Sequence, residues 1–502
     1  MLAPGQAAPQ QAAGLARGAG GEVGLTFTHA INGFVFKGSA VAAEALRRNP
    51  NVVSVTPDLP ITLTAETLPT GIERVAAYDN DTPGAGAYHN GYRGNGARIA
   101  VVDTGIDLDH PDLIGSIDHA NSKNCVNASA EPDDGYGHGT HVAGTAAAPL
   151  NGVGVVGIAP EAELVAVKVF DDAGNSSESL VLCGFDHVMA LNSDADSSND
   201  IDVMNMSFGE QRAWGDCATD AMHAAVCAAH AAGVIMVAGS GNSAVDGGTF
   251  VPAAFPEVIS VSALTDFDTV RGGLAGCKFI LELFSPECDD TLALFSNFGP
   301  SVDVVAPGVF IQSTWPGGTY KTSSGTSMAT PHVAGVAAIM AAASPGLTPA
   351  NAMAYLRSAG ECPDGTVAGV DGTCAGQGTW PDDPDGIAEP MLNALGSAVA
   401  ASGVPPTPTP PVAPNLTAAT AGDGSVALTW NAPNFDGNSP ITGYEIWRGT
   451  TSGGATLLTA VGVQTTYTDT TVIRGATHVY QIRAANDGGN SDLSDKVSIK
   501  IP

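Results

Sequence analysis

The sequence predicts an α/β fold: a mostly parallel sheet with helices on both faces, followed by a small β-sandwich. Two observations carry this. Short continuous apolar runs at 98–102, 164–169, 203–206, 234–237, 258–261 and 302–305 alternate with helical stretches near 139–148, 179–191, 218–232 and 326–343. Consecutive apolar positions imply strands buried on both faces, as in a parallel sheet covered by helices. The second observation is a change of character after a Pro/Thr linker at 404–411. There, runs at 426–430, 443–447 and 479–484 alternate apolar with polar residues between Gly/Asn/Asp turns, the pattern of a β-sandwich.

Taken in order, residues 1–21 are rich in Ala, Gly and Gln and show no usable period. Strands are expected at 25–29, 33–36 and 52–56, with a helix between the last two that Ser39 caps and Pro50 ends. This small α+β unit of about forty residues is too small to bury a good core alone. The stretch 61–96 reads as loop. The expected domains are 1–62, 63–402, a linker at 403–413, and 414–502.

Composition narrows the function. With 44% hydrophobic residues the chain can build a sizeable core. Its charged residues divide into 19 basic and 51 acidic, so a net charge of -32 repels nucleic acid and anionic lipid. No apolar run reaches the ~20 residues that span a bilayer. Neither a nucleic-acid nor a membrane partner is expected, and a monomer is. The start, Met1 to Gly5, has no basic or apolar signal region, so a truncated or processed N-terminus is expected. Eight cysteines without a C-x-x-C pair argue against a zinc ribbon and for disulfides formed in an oxidising compartment. Cys277 with Cys288 and Cys362 with Cys374 each close a short polar loop; Cys217 with Cys227 and Cys125 with Cys183 complete the expected set.

The chemistry lies in three segments. Asp103 ends an apolar strand, His138 opens a small-residue helix, and Ser327 opens the long apolar helix. Read alone, Ser327 is a helix cap. Read together, the three supply a nucleophile, a base to take its proton and an acid to orient that base. His138 and His141 without a nearby Glu lack the zincin pattern, and His141 and His332 read as packed core histidines.

Residues 65–400 resemble a subtilisin-type serine peptidase. The resemblance rests on Asp103-Thr104-Gly105-Ile106-Asp107, His138-Gly139-Thr140-His141 and Gly325-Thr326-Ser327-Met328-Ala329-Thr330-Pro331-His332. It implies an Asp103–His138–Ser327 triad acting through an acyl-enzyme on peptide substrates, with no cofactor needed for the chemistry. Asn242, in Ala238-Gly239-Ser240-Gly241-Asn242, takes the oxyanion role. Ser207, Phe208 and Gly209 form one wall of the S1 pocket, and Ala238, Gly239 and Gly241 the other. The short loop after Asn242 resembles the proteinase K branch and places Phe250 near the pocket floor, implying apolar or aromatic P1 residues.

The loop 150–154 is shorter than the family's tight calcium loop. A structural calcium is implied instead at the carbonyls of Pro256 and Val258 with Asp303. Residues 24–58 resemble the family's I9-type propeptide inhibitor without its first strand, so the protein's own propeptide is an expected partner, cleaved between Asp58 and Leu68. The tail resembles a fibronectin type III domain with His478 where the corner tyrosine stands. The alternative is a catalytically silent extracellular adhesion protein on a peptidase scaffold.

Overall fold

The computed structural model describes residues 2, 8–27, 32–55, 66–77, 86–270, 275–280, 285–369, 371–374, 376–403, 411, 413–422, 424–433, 441–450, 454–486 and 488–502. The expected processing segment from Asp58 as far as residue 65, and most of the linker, lie outside them. The chain forms two compact units, Met1–Thr64 and Ala65–Pro502.

The larger unit is organised on one sheet of β1 (Arg98–Asp103), β2 (Lys123–Asn124), β3 (Glu163–Lys168), β4 (Val203–Met206), β5 (Ile235–Gly239), β6 (Val258–Thr265), β7 (Thr291–Leu292) and β8 (Val304–Pro307). The order is β7-β6-β5-β4-β1-β3-β2, with β8 also paired to β6. All of these pairings are parallel except β6 with β7. The apolar runs are continuous because alternate residues enter two separate cores. In β1, Ile99 and Val101 point to one face, whereas Ala100 and Val102 point to the other.

Helices α1 (His138–Ala147) and α4 (Thr326–Ala343) cover the first face, and α2 (Glu178–Asn192) and α3 (Ala221–Ala231) the second. Helix α4 is long and apolar enough to cross a bilayer, but 78% of it is buried inside the protein, as a central core helix requires. Small residues let it sit close: a Cβ on Gly335 would come 2.8 Å from Ala146 O and crowd Ile158. Four disulfides join Cys125–Cys183, Cys217–Cys227, Cys277–Cys288 and Cys362–Cys374.

In the smaller unit, strands Glu22–Phe27 and Gly33–Lys37 pair antiparallel, and Ser39 caps helix Ala40–Arg47 by accepting from Ala42 N. One stretch left unread and one expected strand turn out otherwise here. The Ala/Gly/Gln stretch forms a helix, Ala8–Ala19, whose Ala12 and Ala16 are buried one turn apart. Residues 52–55 form no strand, and Val52 makes only a single bridge to Leu2; Thr56 lies outside the described residues.

The C-terminal region has a three-stranded and a five-stranded sheet. In strand Ser425–Asn431, Val426, Leu428 and Trp430 point inward against Tyr444, Ile446, Tyr480 and Ile482. His478 Nε2 accepts from Ile473 N at 3.3 Å, so the histidine itself ties back to upstream backbone. Tyr480 donates to Asp469 Oδ2 at 2.7 Å.

Candidate active site

Asp103 ends β1 at the carboxyl edge of the sheet, where ligand sites form in such folds. Its carboxylate is 1% exposed, accepts from Thr104 N at 2.7 Å, and lies 2.8 and 2.9 Å from His138 Nδ1 through its two oxygens. His138 is held there by the start of α1. Gly137 adopts φ 108°, a backbone that favours glycine, and one carboxylate accepts from both ends of this turn. Asp134 Oδ1 accepts from Gly137 N at 2.7 Å, and its Oδ2 accepts from Thr140 N at 2.9 Å and Thr140 Oγ1 at 2.6 Å. A side chain on Gly139 would collide with Gly105 O, so glycine permits the close approach of helix and strand end. Burial disfavours the His138 imidazolium, but the charge and hydrogen bond of Asp103 outweigh it and raise the pKa above 6.5.

Ser327 is the second residue of α4 and does not cap it; Gly325 holds the N-cap position without a side-chain bond. Ser327 Oγ donates to Ser207 O at 2.9 Å, and Ser207 Oγ donates to Ser327 O at 3.0 Å. The nucleophile candidate is thereby tied to the segment leaving β4 and makes no hydrogen bond to His138 among the described residues.

Asn242 follows β5. Its Oδ1 accepts from Thr326 N at 2.8 Å and Thr326 Oγ1 at 3.0 Å. Because a backbone N–H must face oxygen, the amide orientation is determined and Nδ2 is the donor that remains. That nitrogen would stand 3.5 Å from a Cβ built on Gly325, beside the start of α4.

Ser207, Phe208 and Gly209 continue beyond β4 without pairing to a strand among the described residues, and Ala238 and Gly239 end β5. The Phe250 ring lies between the two walls. It would meet a Cβ on Gly241 at 3.1 Å and collide with one on Gly209. A cavity of about 170 Å³ opens beside this region, lined by Asp103, His138, Tyr136, Phe170, Ser207 and Phe208 among others.

Sequence reasoning missed three supporting residues. Thr104 Oγ1 accepts from Gly139 N at 2.9 Å, Asp134 secures the His138 turn, and Thr326 orients Asn242. Asp134 could have been found as the acid one turn before the helix start.

His141 and His332 are packed in the core. His141 Nε2 lies 3.0 Å from both Ile311 O and Lys321 O, and burial pushes its pKa down to about 4. His332 Nδ1 lies 2.9 Å from Met328 O, and burial likewise takes it to about 4.

Asp303, the carboxylate expected to hold a calcium ion with the carbonyls of Pro256 and Val258, has two protein partners. Asp303 Oδ2 accepts from Ser260 N at 2.9 Å, and Oδ1 lies 3.4 Å from the Arg357 guanidinium. Both oxygens are engaged, one of them by a cation that would repel another.

The Subtilase family model matches residues 94–378, more than half the chain. The fibronectin type III model matches 407–500, and the peptidase inhibitor I9 model matches 10–64. Subtilisin NAT of Bacillus subtilis subsp. natto is 35% identical over 68% of this chain and 78% of its own length. M-protease of Shouchella clausii is 38% identical over 59% of this chain and 66% of its own length. Subtilisin of Bacillus pumilus is 36% identical over 59% of this chain and 92% of its own length. The chain therefore belongs to the subtilase family and is a serine endopeptidase.

Proposed function

We propose that the protein is a secreted endopeptidase, made as a zymogen, that uses Asp103, His138 and Ser327 with Asn242 at the oxyanion. The observation that carries this reading is the pair of contacts, 2.8 and 2.9 Å, between His138 Nδ1 and the buried Asp103 carboxylate. They fix the tautomer that leaves Nε2 as the base.

The Ser327 hydroxyl turns from Ser207 O to His138 Nε2, gives up its proton and bonds to the scissile carbonyl carbon. The oxyanion receives hydrogen bonds from Ser327 N and Asn242 Nδ2. Collapse of the intermediate breaks the C–N bond, and the leaving amine takes the proton from His138. Water then enters by the reverse route, releases the acid and restores Ser327. Ser207, Phe208 and Gly209 receive the extended substrate backbone. Phe250 between the walls makes the S1 pocket apolar and limits its depth, so apolar P1 residues are preferred.

Residues 1–62 serve as inhibitor and folding template for the peptidase at 63–402, and 403–413 link it to the module at 414–502. The disulfides and the acidic surface support secretion.

The test is casein hydrolysis and fluorophosphonate labelling of the folded, propeptide-free protein beside Ser327→Ala. Labelling at Ser327, with loss of both signals and accumulation of unprocessed chain in the variant, is expected. A wild-type protein that takes no label overturns the reading.

A further inference from the structure

Three carboxylates gather where β6 ends. Asp266 and Asp268 follow the strand, and Asp289 directly follows Cys288, which ends the loop closed by the Cys277–Cys288 disulfide. Each offers an oxygen within 4.8 Å of the others'. Oxygens ~2.4 Å from a shared calcium ion can lie no farther apart than about that distance.

Proximity of acids is not enough by itself, but the hydrogen bonding singles out one atom. Asp266 is 2% exposed; its Oδ1 accepts from Thr269 N at 3.1 Å, whereas its Oδ2 is buried with no hydrogen-bond partner among the described residues. A buried carboxylate oxygen without a donor loses its hydration and gains nothing in return.

The nearby cation does not settle the account. Arg74 lies 3.9 Å from Asp266 Oδ1, but it sits closer to Asp290 and Glu361, both at 3.2 Å. One positive charge thus serves three acids before Asp268 and Asp289 are considered. The other two members are already aimed by backbone. Asp289 accepts from Phe267 N at 2.7 Å and Ala275 N at 3.0 Å, and Asp268 accepts from Val270 N at 2.9 Å.

We propose that Asp266, Asp268 and Asp289 bind one calcium ion, with Asp266 Oδ2 as the buried ligand and water or carbonyl oxygens completing the shell. The all-oxygen donor set suits a hard cation of flexible coordination. The ion pins the end of the disulfide loop to the carboxyl end of β6, adding to the bonds Asp289 already accepts from Phe267 N and Ala275 N. The rival occupant of Asp266 Oδ2 is a proton.

The full-length chain carrying Ser327→Ala, which cannot digest itself, is dialysed to equilibrium against micromolar to millimolar calcium chloride, and bound calcium is counted. Asp268→Asn is compared in the same background; its residue is partly exposed and its retained oxygen still accepts from Val270 N. The variant is expected to bind one calcium fewer per chain and to lose part of the rise in melting temperature that calcium gives its parent. If the variant does not fold, Asp266→Asn, which puts an amide where the unpartnered oxygen lies, is counted instead with the same expectation. Equal calcium counts in parent and variant, or none bound by the parent, overturn the site.

Discussion

His138 and His141 lie one turn apart on α1, yet the fold gives them opposite chemistry. His138 meets a buried carboxylate and is raised above 6.5, whereas His141 meets two carbonyls in a dry core and falls to about 4. Spacing along the helix cannot make that distinction; what each ring touches makes it. The linkage signs are opposite too. His138 contributes stability that is present below the unfolded value and lost as pH rises through its raised pKa. Stability associated with His141 is full above 6.5 and lost as pH falls towards about 4, because the unfolded chain takes the proton first.

The comparison can be broken most forcefully at His138. His138→Ala should lower kcat about 10⁶-fold, the scale established for subtilisin itself. Asp103→Asn leaves the ring in place but removes the charge that selects its tautomer, so kcat should fall about 10⁴-fold, as in other serine peptidases. The acidic limb of the kcat/KM profile should move to lower pH in the same variant. Asn242→Ala should cost ~10²–10³ in kcat with little change in KM, again the magnitude known from subtilisin. His141→Asn should leave kcat within a few-fold but destabilise by ~1–3 kcal/mol, since its donor to two buried carbonyls is lost. Its acid melting curve should also flatten between pH 6.5 and about 4. A large kcat loss in this last variant would erase the contrast.

The reach of the sequence followed from physical cause. The parallel sheet was legible because strands such as β1 are buried on both faces and must be apolar throughout. The long helix was legible because burial around nearly its whole girth demands small and apolar residues. The N-terminal helix was not: Gly14 and Gly18 weaken its propensity, and only Ala12 and Ala16 mark its buried stripe. At the site, residue types named the acid, base and hydroxyl candidates, but not their contacts. That Ser327 donates to Ser207, or that Thr326 sets the Asn242 amide, depends on elements 120 and 84 residues apart. What surrounds Asp303 was out of reach for the same reason, since Arg357 is 54 residues away. Asp266, Asp268 and Asp289 gave no sequence signal because a disulfide loop separates them.

The central claim is that His138, held by Asp103, is the base for Ser327. It is tested most directly by the pH dependence of the rate at which a fluorophosphonate labels Ser327 in the wild type and in His138→Ala. The account predicts that wild-type labelling rises through a single group titrating above 6.5 and that the variant is labelled at a negligible rate at every pH. Labelling of the variant at the wild-type rate, with the same pH profile, would contradict it.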